Sequence, residues 1–457
     1  MDIRGGKIEL ADIPTPSSGP MGITLSPDGK SVWFTEIARN KISSLDIESN
    51  RILEYPTGGE SGPTLLTFDS TGMLWVTQSY SNNILQVQPW MLVPNSTSGS
   101  MGMFTIALTK PDVFSPFGIA LIDRSKDNGT SETQKMMFVS DHSSSRVILS
   151  DNVNNITGNS LQSYISYWTS PSQKYPATLP SQIVADRSGE NIYFVQHGGN
   201  RISKINLASG RMTEHDIPTG PLSTAVFIAV SDDGKRVWFT EWASNKVGYL
   251  DNTIKIPLDL ELKNKESGTP TLLKTNQPEI LNVQLNTTEM NNYSSSAPTA
   301  SPVSLKEVEL SVIGMTDSGL KGITYEAQPQ RIDMEKNSTA QSIINLHLVQ
   351  QDIRNNIPVR LDHYTTMVKA SAPEKDQLFV SFLSPVVVKL DLPVVISTEQ
   401  SKNERQGNKQ ENQGWIGEFI GDLSFRNIIR VGAITTAVGL IGYIIYMRIK
   451  RSKSQRK

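Results

Sequence analysis

A fifteen-residue pattern occurs five times in the first 251 residues, and it constrains the fold more than any other feature of the chain. Each copy opens with apolar residues around an aromatic side chain, passes through a polar turn and ends in a second apolar stretch. The copies are Val32–Asp46, Leu74–Gln88, Met137–Asp151, Ile192–Asn206 and Val237–Asp251. One such unit cannot bury its own apolar face, so we expect the copies to pack against one another.

The spacing of the copies predicts an all-β fold, with a β-propeller over residues 1–255. The aligned aromatic residues, which lie 42, 63, 55 and 45 residues apart, are Trp33, Trp75, Phe138, Tyr193 and Trp238. Repeats of about 40–45 residues with several short strands are typical of propeller blades with four strands each. The two longer intervals contain polar segments that predict loop insertions at Asp123–Thr133 and Ser150–Ser170. Five blades are clear, and a sixth blade within Gln88–Phe114 or Asn152–Thr178 is an alternative.

The N-terminal segment Ile8–Pro16 (IELADIPTP) resembles two later segments, Glu54–Gly58 (EYPTG) and Glu214–Gly220 (EHDIPTG). Those later segments are predicted to be the outermost strands of their blades. We therefore expect Ile8–Pro16 to complete the final blade and close the ring, because closure removes an exposed sheet edge.

After residue 255 the repeat ends and the composition changes. Residues 256–304 are rich in Asn, Ser, Thr and Pro, which predicts a linker or a loose insertion. Residues 305–396 contain about six or seven stretches of alternating apolar and polar residues, which predict a small immunoglobulin-like β-sandwich. An alternative is that residues 378–381 and 386–392 form a sixth blade and the region before them is inserted into the propeller.

The C-terminal region predicts a membrane anchor. Residues 397–425 form a polar stalk, and residues 426–447 are predicted to form one transmembrane helix, since a spanning helix needs about 17–25 apolar residues. The tail, residues 448–457, contains six Lys or Arg residues and no acidic residue. The positive-inside rule therefore predicts a single-pass protein of the cell membrane, with its tail in the cytoplasm and its propeller outside.

The beginning of the sequence conflicts with this topology, because MDIRGGKIELADIPTP lacks the apolar core of a secretory signal peptide. Either the start is truncated or misassigned, or the protein is tail-anchored with its domains in the cytoplasm. We favour the outside placement. The formal charge of −2 gives no reason to expect a nucleic-acid partner, and the absence of cysteine excludes disulfides, thiolate metal sites and a cysteine nucleophile.

The motifs GP-x-GI, DG-x-x-x-WFTE, N-K-I-x-x-L-D and EYP resemble those of the virginiamycin B (streptogramin B) lyase family of β-propellers. The resemblance covers residues 8–251 and is strongest around Glu36 and Glu241. It implies a Mg²⁺-assisted elimination that opens a cyclic depsipeptide at its ester. It also implies a catalytic His in a P-H-[AG]-I approach in adjacent blades, directly after the proline, that works with nearby Glu residues.

No His occupies that position in this chain. The residues that follow the five prolines are Met21, Thr64, Phe117, Ser181 and Leu222. None of these side chains can act unaided as a general base near neutral pH. The catalytic His of the family therefore cannot be assigned here.

Polar residues occupy the last position of the WFTE motif in every copy. They are Glu36, Gln78, Asp141, Gln196 and Glu241. Equivalent positions of a propeller surround one axis, and carboxylate and amide oxygens are suitable ligands for Mg²⁺ or Ca²⁺. We therefore predict Glu36, Asp141 and Glu241 as candidate metal ligands. The alternative is that each side chain caps a turn of its own blade.

His142 and His197 occupy the next position of the motif in neighbouring blades. Together with Glu241 they are the candidate catalytic residues, as an acid/base pair displaced from the family's site; the alternative is that they are exposed loop residues. Four copies of the pattern also share an Asn at one position of the turn: Asn40, Asn82, Asn200 and Asn245. These residues are predicted to form left-handed turns, since Asn tolerates that conformation.

The sequence thus predicts a membrane-anchored, outward-facing binding or scaffold protein. Its propeller would bind a small molecule, a glycan or a protein. The alternative is a lyase or hydrolase of the streptogramin-lyase type that acts on a carbon–oxygen bond with the help of Mg²⁺.

Overall fold

The computed structural model shows a chain that is almost entirely β. The described residues are 10–96, 101–108, 115–125, 133–150, 153, 160–161, 164–171, 177–219, 223–253, 258–263, 271–274, 277–287, 305–314, 323–335, 337–348, 364–371 and 380–391. Within these ranges no helix is both long enough and apolar enough to span a bilayer. The predicted stalk, transmembrane helix and basic tail lie outside the described residues.

Five antiparallel sheets follow the five copies of the pattern. The first consists of β1 (Pro20–Leu25), β2 (Ser31–Glu36), β3 (Lys41–Asp46) and β4 (Ile52–Pro56). The second consists of β5 (Pro63–Phe68), β6 (Leu74–Gln78), β7 (Asn83–Val87) and β8 (Met103–Leu108). Short 3-10 helices lie at Ile37–Arg39 and Pro89–Met91.

The third sheet consists of β9 (Pro116–Ser125), β10 (Thr133–Asp141), β11 (Arg146–Ser150) and β13 (Ile165–Trp168). The two-residue strand β12 (Ser160–Leu161) precedes β13 in the chain but pairs in parallel with β8 of the second sheet. The fourth consists of β14 (Pro180–Ala185), β15 (Asn191–Gln196), β16 (Arg201–Asn206) and β17 (Arg211–Asp216). The fifth has three strands among the described residues: β18 (Ala225–Val230), β19 (Arg236–Glu241) and β20 (Lys246–Asp251).

These sheets are the predicted propeller blades, and each packs face to face on the next. The aromatic residue of one blade lies in the apolar core that this blade shares with the following blade: Trp33 packs with Leu66 and Val76 of blade 2. Trp75 lies likewise in a cluster with Ile119 of blade 3. No additional blade exists in the described parts of Gln88–Phe114 and Asn152–Thr178. There β8 is the fourth strand of blade 2, β12 pairs with its outer edge, and β13 is the outermost strand of blade 3.

A hydroxyl group in the second strand links three of the blades to their successors. In every blade the pairing of the first two strands shifts near the start of the first strand, which leaves an amide that the ladder does not use. The hydroxyl accepts a hydrogen bond from this amide and donates one to a carbonyl of the next blade, over 2.7, 2.6 and 2.5 Å. In blade 1 the hydroxyl of Thr35 binds the amide of Gly22 and the carbonyl of Thr64. In blade 2 the hydroxyl of Thr77 binds the amide of Leu65 and the carbonyl of Phe117. In blade 3 the hydroxyl of Ser140 binds the amide of Gly118 and the carbonyl of Ser181.

Blade 4 makes the equivalent link by another route. Val195 stands at the hydroxyl position and can neither donate nor accept. Instead, the hydroxyl of Ser181 in the first strand donates to the carbonyl of Val226 in blade 5 over 3.1 Å. The carbonyl that receives the bond is the one equivalent to Thr64, Phe117 and Ser181, so the contact between blades is preserved although its donor has moved.

Two glycines permit the close approach that these bonds require. A Cβ atom on Gly22 would lie 2.6 Å from the carbonyl oxygen of Thr64, and one on Gly118 would collide with the carbonyl oxygen of Ser181. Both collisions are with the backbone of the next blade, which cannot move aside as a flexible side chain can. The GP-x-GI motif therefore contains glycine at these two positions for packing between blades.

The C-terminal half of the described chain forms two further sheets around a second core. Its strands are β21 (Leu258–Leu262), β22 (Thr271–Lys274), β23 (Glu279–Thr287), β24 (Leu305–Ile313), β25 (Ile323–Gln328), β26 (Arg331–Met334), β27 (Thr339–Leu348), β28 (Tyr364–Ser371) and β29 (Val380–Asp391). One sheet has the order β21-β23-β27-β25, and the other contains β29-β28-β24-β26. Apolar side chains of both sheets form one buried cluster, so this region is a β-sandwich.

Residues 256–304, which the sequence predicted as a linker or a loose insertion, contain three segments that are regular strands. Strands β21, β22 and β23 lie in this region, and β21 and β23 belong to one sheet of the sandwich. The reason is a local alternation that the average composition hides: Leu281, Val283 and Leu285 point into the core while Asn and Gln lie between them. A period of two buries one face of a strand even in a polar segment.

The last described strand joins the sandwich to the propeller. The first part of β29 pairs with β17, with Met212 opposite Leu383, and its residues 381–388 pair with β28 of the sandwich. The indole Nε1 of Trp168 in blade 3 also donates to the carbonyl of Thr365 over 2.8 Å. The alternative of a sixth blade at residues 378–392 is therefore wrong for the described part, because β29 is a fifth strand of blade 4.

The expected N-terminal closing strand is not formed in its described part. Leu10–Pro16 contains no strand, and residues 8 and 9 lie outside the described residues. Pro14 and Pro16 have no amide hydrogen to give to a ladder. Thr15 between them donates from its amide and its hydroxyl to the carboxylate of Glu54, over 2.9 and 2.8 Å. The segment therefore binds blade 1 through a side chain.

We predict that Thr77→Val lowers the free energy of unfolding by about 1–3 kcal/mol, because it leaves the buried amide of Leu65 and the carbonyl of Phe117 without their partner. Urea denaturation measures the change. The matched control is Thr105→Val on the exposed side of β8, which should change the free energy by less than about 0.5 kcal/mol. Equal effects of the two substitutions would contradict a role for the hydroxyl between blades.

Candidate functional site

The five polar residues of the WFTE motif all end the second strand of their blade. Each lies opposite the first residue of the third strand, and all five are buried: Glu36, Gln78, Asp141, Gln196 and Glu241. Equivalent positions therefore lie at the same end of every blade, as the repeat predicted. What each side chain can do depends on its partners within the blade.

Glu36 is bonded to the third strand of blade 1. The hydroxyl of Ser43 donates to its Oε1, while its Oε2 is buried without a hydrogen-bond partner. Burial raises the pKa of the Glu36 carboxyl, the Ser43 hydrogen bond opposes that rise, and the nearby carboxylate of Glu54 adds to it. Lys41 lies 2.7 Å from Glu54 and so neutralises the second carboxylate of this pair.

Asp141 forms an ion pair within blade 3. Its Oδ2 lies 3.2 Å from Nε of Arg146, and both side chains are buried. Its Oδ1 accepts from the amide of Ser115 over 2.9 Å and from the hydroxyl of Ser143 over 2.9 Å. The Arg146 guanidinium also lies 5.0 Å from the ring centroid of Trp168. The charge of Asp141 is thus paired with Arg146, and both of its carboxylate oxygens have bonding partners in or beside its own blade.

The other three members of the set also bond locally. Oε2 of Glu241 accepts from the hydroxyl of Ser244 over 3.1 Å. The amide of Gln196 donates to Oε1 of Glu214 over 2.7 Å. The amide of Gln78 donates to the carbonyl of Thr57, just after the last strand of blade 1, over 3.3 Å. Most of these bonds therefore join the side chain to another side chain of the same blade, and Gln78 bonds instead to the segment that follows blade 1.

The structure does not bring Glu36, Asp141 and Glu241 together as metal ligands. Among the residues that the structure describes, no group of three or more His, Asp or Glu side chains is placed to hold a metal ion. The carboxylates lie in blades 1, 3 and 5, and their oxygens face partners within those blades. These residues do not fit a shared Mg²⁺ or Ca²⁺ site, which needs six or more oxygen ligands around one point.

His142 and His197 do lie together. Their ring centroids are 5.7 Å apart, and the ring of Phe117 stacks on His142 at 5.0 Å. Nδ1 of His142 lies 3.1 Å from the carbonyl oxygen of Pro180. A carbonyl only accepts, so Nδ1 carries the proton. The hydroxyl of Ser79 donates to the equivalent carbonyl, that of Pro116, over 2.5 Å. His142 therefore links blade 3 to blade 4 as Ser79 links blade 2 to blade 3.

Both imidazoles are neutral at physiological pH. Burial lowers the pKa of His142 to about 4, although the Pro180 carbonyl opposes this. Burial also lowers the pKa of His197 to about 4, and the neighbouring His142 lowers it further. Groups with a pKa this far below neutrality are weak general bases, since the proton they accept is lost again readily. The alternative that both are exposed loop residues is wrong for His142, which is buried. His197 is half-buried, so it is not fully exposed either.

Two further carboxylates of this region were not among the candidate site residues. Glu54 and Glu214 occupy equivalent places on the fourth strands of blades 1 and 4, opposite Ser43 and Ser203. Each lies near the basic first residue of the third strand; in blade 4, Oε2 of Glu214 is 3.7 Å from Arg201. In the sequence these two residues are recognisable as the Glu that begins the segments EYPTG and EHDIPTG. The sequence of a single strand does not show which residue of the neighbouring strand such a Glu faces.

The prediction of left-handed turns is confirmed. The φ angles lie between 54° and 55° at Asn40, Asn82, Asn200 and Asn245, and Ser145 takes the same place in blade 3 with 53°. Asn40 and Asn200 also bind the next blade. The side-chain oxygen of Asn40 accepts from the amide of Gly62, and that of Asn200 from the amide of Ser223, both over 2.9 Å.

We predict that the free energy of unfolding falls as the pH drops from about 6.5 to 4. In the unfolded chain His142 and His197 bind protons near pH 6.5, whereas in the folded protein they bind protons only near pH 4, because their pKa is lowered. Stability is therefore complete above pH 6.5 and is lost below it. Denaturation at several pH values measures the slope, which should be shallower in His142→Asn, whose amide can still donate to Pro180. An imidazole NMR signal assigned to His142 or His197 that titrates near pH 6.5 in the folded protein would contradict the prediction.

Solved structures with similar folds are β-propeller proteins. A streptogramin B lyase is 25% identical with a TM-score of 0.40, and the match covers 60% of this chain and 81% of that one. Virginiamycin B lyase from Staphylococcus aureus is 20% identical with a TM-score of 0.40, over 74% of this chain and 98% of that one. A gluconolactonase from Xanthomonas campestris is 16% identical with a TM-score of 0.36, over 49% of this chain and 69% of that one.

Neither a protein-family model nor a curated protein matches the chain. The sheets described above form the propeller that the sequence motifs predicted. As those motifs also predicted, the chain is similar to virginiamycin B lyase structures.

Proposed function

We propose that this protein is a membrane-anchored, extracytoplasmic binding or scaffold protein of the streptogramin lyase-like type. The observation that carries the proposal is the local use of the WFTE carboxylates. Glu36, Asp141 and Glu241 are each bonded inside their own blade, which favours a structural role for them.

The residues at the end of the propeller where the second strands finish favour binding of an uncharged ligand. The position after each WFTE motif is occupied by Ile37, Ser79, His142, His197 and Trp242, none of which is charged at neutral pH. Trp242 is 73% exposed there. An exposed indole beside neutral polar groups suits an aromatic, glycan or peptide ligand that stacks on the ring.

The membrane attachment rests on residues 426–447 and on the basic tail that follows them. We propose that the sandwich is immunoglobulin-like and that, with the stalk of residues 397–425, it separates the propeller from the membrane. Because β29 belongs to both the propeller and the sandwich, the two have a continuous sheet between them.

A second candidate function is that of a carbon–oxygen lyase or hydrolase. The contact between His142 and His197 favours it, since two neighbouring imidazoles could exchange protons with a substrate. His197 is the better candidate of the two, because Nδ1 of His142 is already bonded to Pro180. The carboxylates do not fit a shared Mg²⁺ site, so we derive no step through a metal.

The binding function predicts a ligand that needs Trp242. The full chain in mild detergent is probed on arrays of glycans and peptides, with Mg²⁺ and with EDTA. We expect retained ligands to be lost in Trp242→Ala but kept in Trp90→Ala, whose indole is also exposed but lies in the helix Pro89–Met91 of blade 2. EDTA should have no effect. Opening of a cyclic depsipeptide that requires Mg²⁺ and is lost in His197→Gln would instead support the lyase.

The proposed topology predicts that protease added to intact cells digests the propeller and leaves the tail of residues 448–457 intact. A tag on the tail and an antibody to the propeller report the two parts separately. Detergent-permeabilised cells are the control, in which both signals should disappear. A propeller that survives in intact cells and is digested only after permeabilisation would refute the outside placement.

A further inference from the structure

Blade 2 contains a loop that the repeat does not require. The connection between its third and fourth strands, β7 and β8, comprises residues 88–102. The same connection comprises only residues 47–51 in blade 1 and residues 207–210 in blade 4. Those two blades form the same four strands without the extra residues. The additional length in blade 2 is therefore not needed for the fold of a blade.

This loop and the start of β8 expose a group of large apolar side chains, which we call the apolar patch. Its members are Trp90 (64% exposed), Met91 (39%), Val93 (54%), Met101 (68%) and Phe104 (49%). The two segments run side by side, because a Cβ atom on Gly102 would lie only 2.7 Å from the Cβ of Met91. Single exposed apolar residues are common, whereas a group of them marks a surface that binds something.

The backbone of the loop is fixed although its largest side chains face outward. The amide of Gln88 donates to the carbonyl of Gly102 over 2.7 Å, and the amide of Asn95 donates to the carbonyl of Glu54 in blade 1 over 3.0 Å. The side chain of Leu92 packs on the core that blades 1 and 2 share. The patch is therefore held in position before it binds, which lowers the conformational entropy lost on binding.

The patch belongs to a long stretch without charge. Residues 70–109 contain no Asp, Glu, Lys, Arg or His, although 19% of the whole chain is charged. The acid that precedes this stretch, Asp69, is buried and paired with Lys135. Partners that are recognised through charge, such as a nucleic acid or an acidic peptide, have no counterpart in these residues. A loop without charge suits the boundary of a bilayer, where a charged side chain is costly.

The patch and the WFTE position lie at opposite ends of blade 2. Strand β6 ends at Gln78, which lies opposite Asn83 at the start of β7, and β7 ends at Val87, opposite Leu74 at the start of β6. The loop follows Val87 directly, so it projects from the end of the blade that is away from Gln78. A surface that binds the patch therefore leaves the WFTE end accessible.

We propose that the apolar patch enters the headgroup boundary of a lipid bilayer. The amphipathic ring of Trp90 is favourable at that boundary, and the Met, Val and Phe side chains can contact the acyl chains. The inference rests on the proposed membrane attachment, in which residues 426–447 provide the anchor. Residues 392–425 separate that anchor from β29 and can extend over about 110 Å, which is enough for blade 2 to reach the bilayer. The WFTE end, with Trp242, then faces away from the membrane.

The absence of cysteine allows a fluorescent probe to be placed at single positions. The full chain with Val93→Cys, labelled with an environment-sensitive fluorophore, is reconstituted in nanodiscs of phosphatidylcholine, a fraction of which has a spin label on its acyl chain. We expect the spin label to quench this probe strongly and aqueous iodide to quench it weakly. The control Ile280→Cys, 48% exposed on the sandwich, should give the reverse result.

A second substitution tests the patch itself. Trp90→Ala should weaken the lipid quenching of the probe at residue 93 by about threefold or more, because the indole contributes most of the affinity for the boundary. Ile343→Ala, 45% exposed on the sandwich, should leave that quenching unchanged. A probe at residue 93 that iodide quenches as strongly as the probe at residue 280 overturns the proposal. So does a probe shielded from iodide but not quenched by lipid, because protein then covers the patch.

Extraction of the full chain from phosphatidylcholine vesicles with alkaline carbonate tests the anchor separately. A chain that stays in the vesicles has an integral anchor, and the probe at residue 93 then decides the role of the patch alone. A chain that carbonate releases lacks the anchor, but lipid quenching at residue 93 would still support the patch. A chain that does not associate with these vesicles at all overturns both proposals.

Discussion

The propeller depends on a hydrogen bond that a single hydroxyl makes in two directions. The side chain of Thr35, Thr77 or Ser140 satisfies an amide that the shifted pairing of its own blade leaves over, and it also holds a carbonyl of the next blade. Each buried bond of this kind contributes about 0.5–1.5 kcal/mol net, and its loss exposes two buried polar groups to an apolar surrounding. The bond therefore sets both the shape of one blade and its distance from the next. The packing of the aromatic residues follows from that distance.

The end of the propeller at which the WFTE residues lie follows the same rule, because buried polar groups there also bond to near neighbours. Glu36, Asp141 and Glu241 resemble metal ligands when the sequence is aligned, because alignment shows which residues are equivalent and not which way they face. In the structure their oxygens bond to Ser43, Arg146 and Ser244, which come seven, five and three positions later in the chain. The histidines differ, since His142 and His197 meet across a boundary between blades.

The sequence was sufficient for the features that repeat. The strands of all five blades, the left-handed turns at Asn40 and its equivalents, and the closeness of His142 to His197 follow from one period. It was insufficient where one strand must find a distant partner. Strands β21 to β23 were hidden in a polar segment, because their alternation is short and its neighbours are rich in Asn, Ser and Thr. The pairing of β17 with β29 has no local signal at all.

That pairing also determines the order in which the chain can fold. Met212 lies opposite Leu383, so blade 4 receives its outer strand only after about 170 further residues have left the ribosome. During that interval the edge of β17 presents unpaired amides and carbonyls to any strand nearby. The first three blades can form as they are synthesised, because their strands pair with close neighbours in the chain. Among the described strands, those that join propeller and sandwich are therefore late to pair and are open to wrong pairing in the meantime.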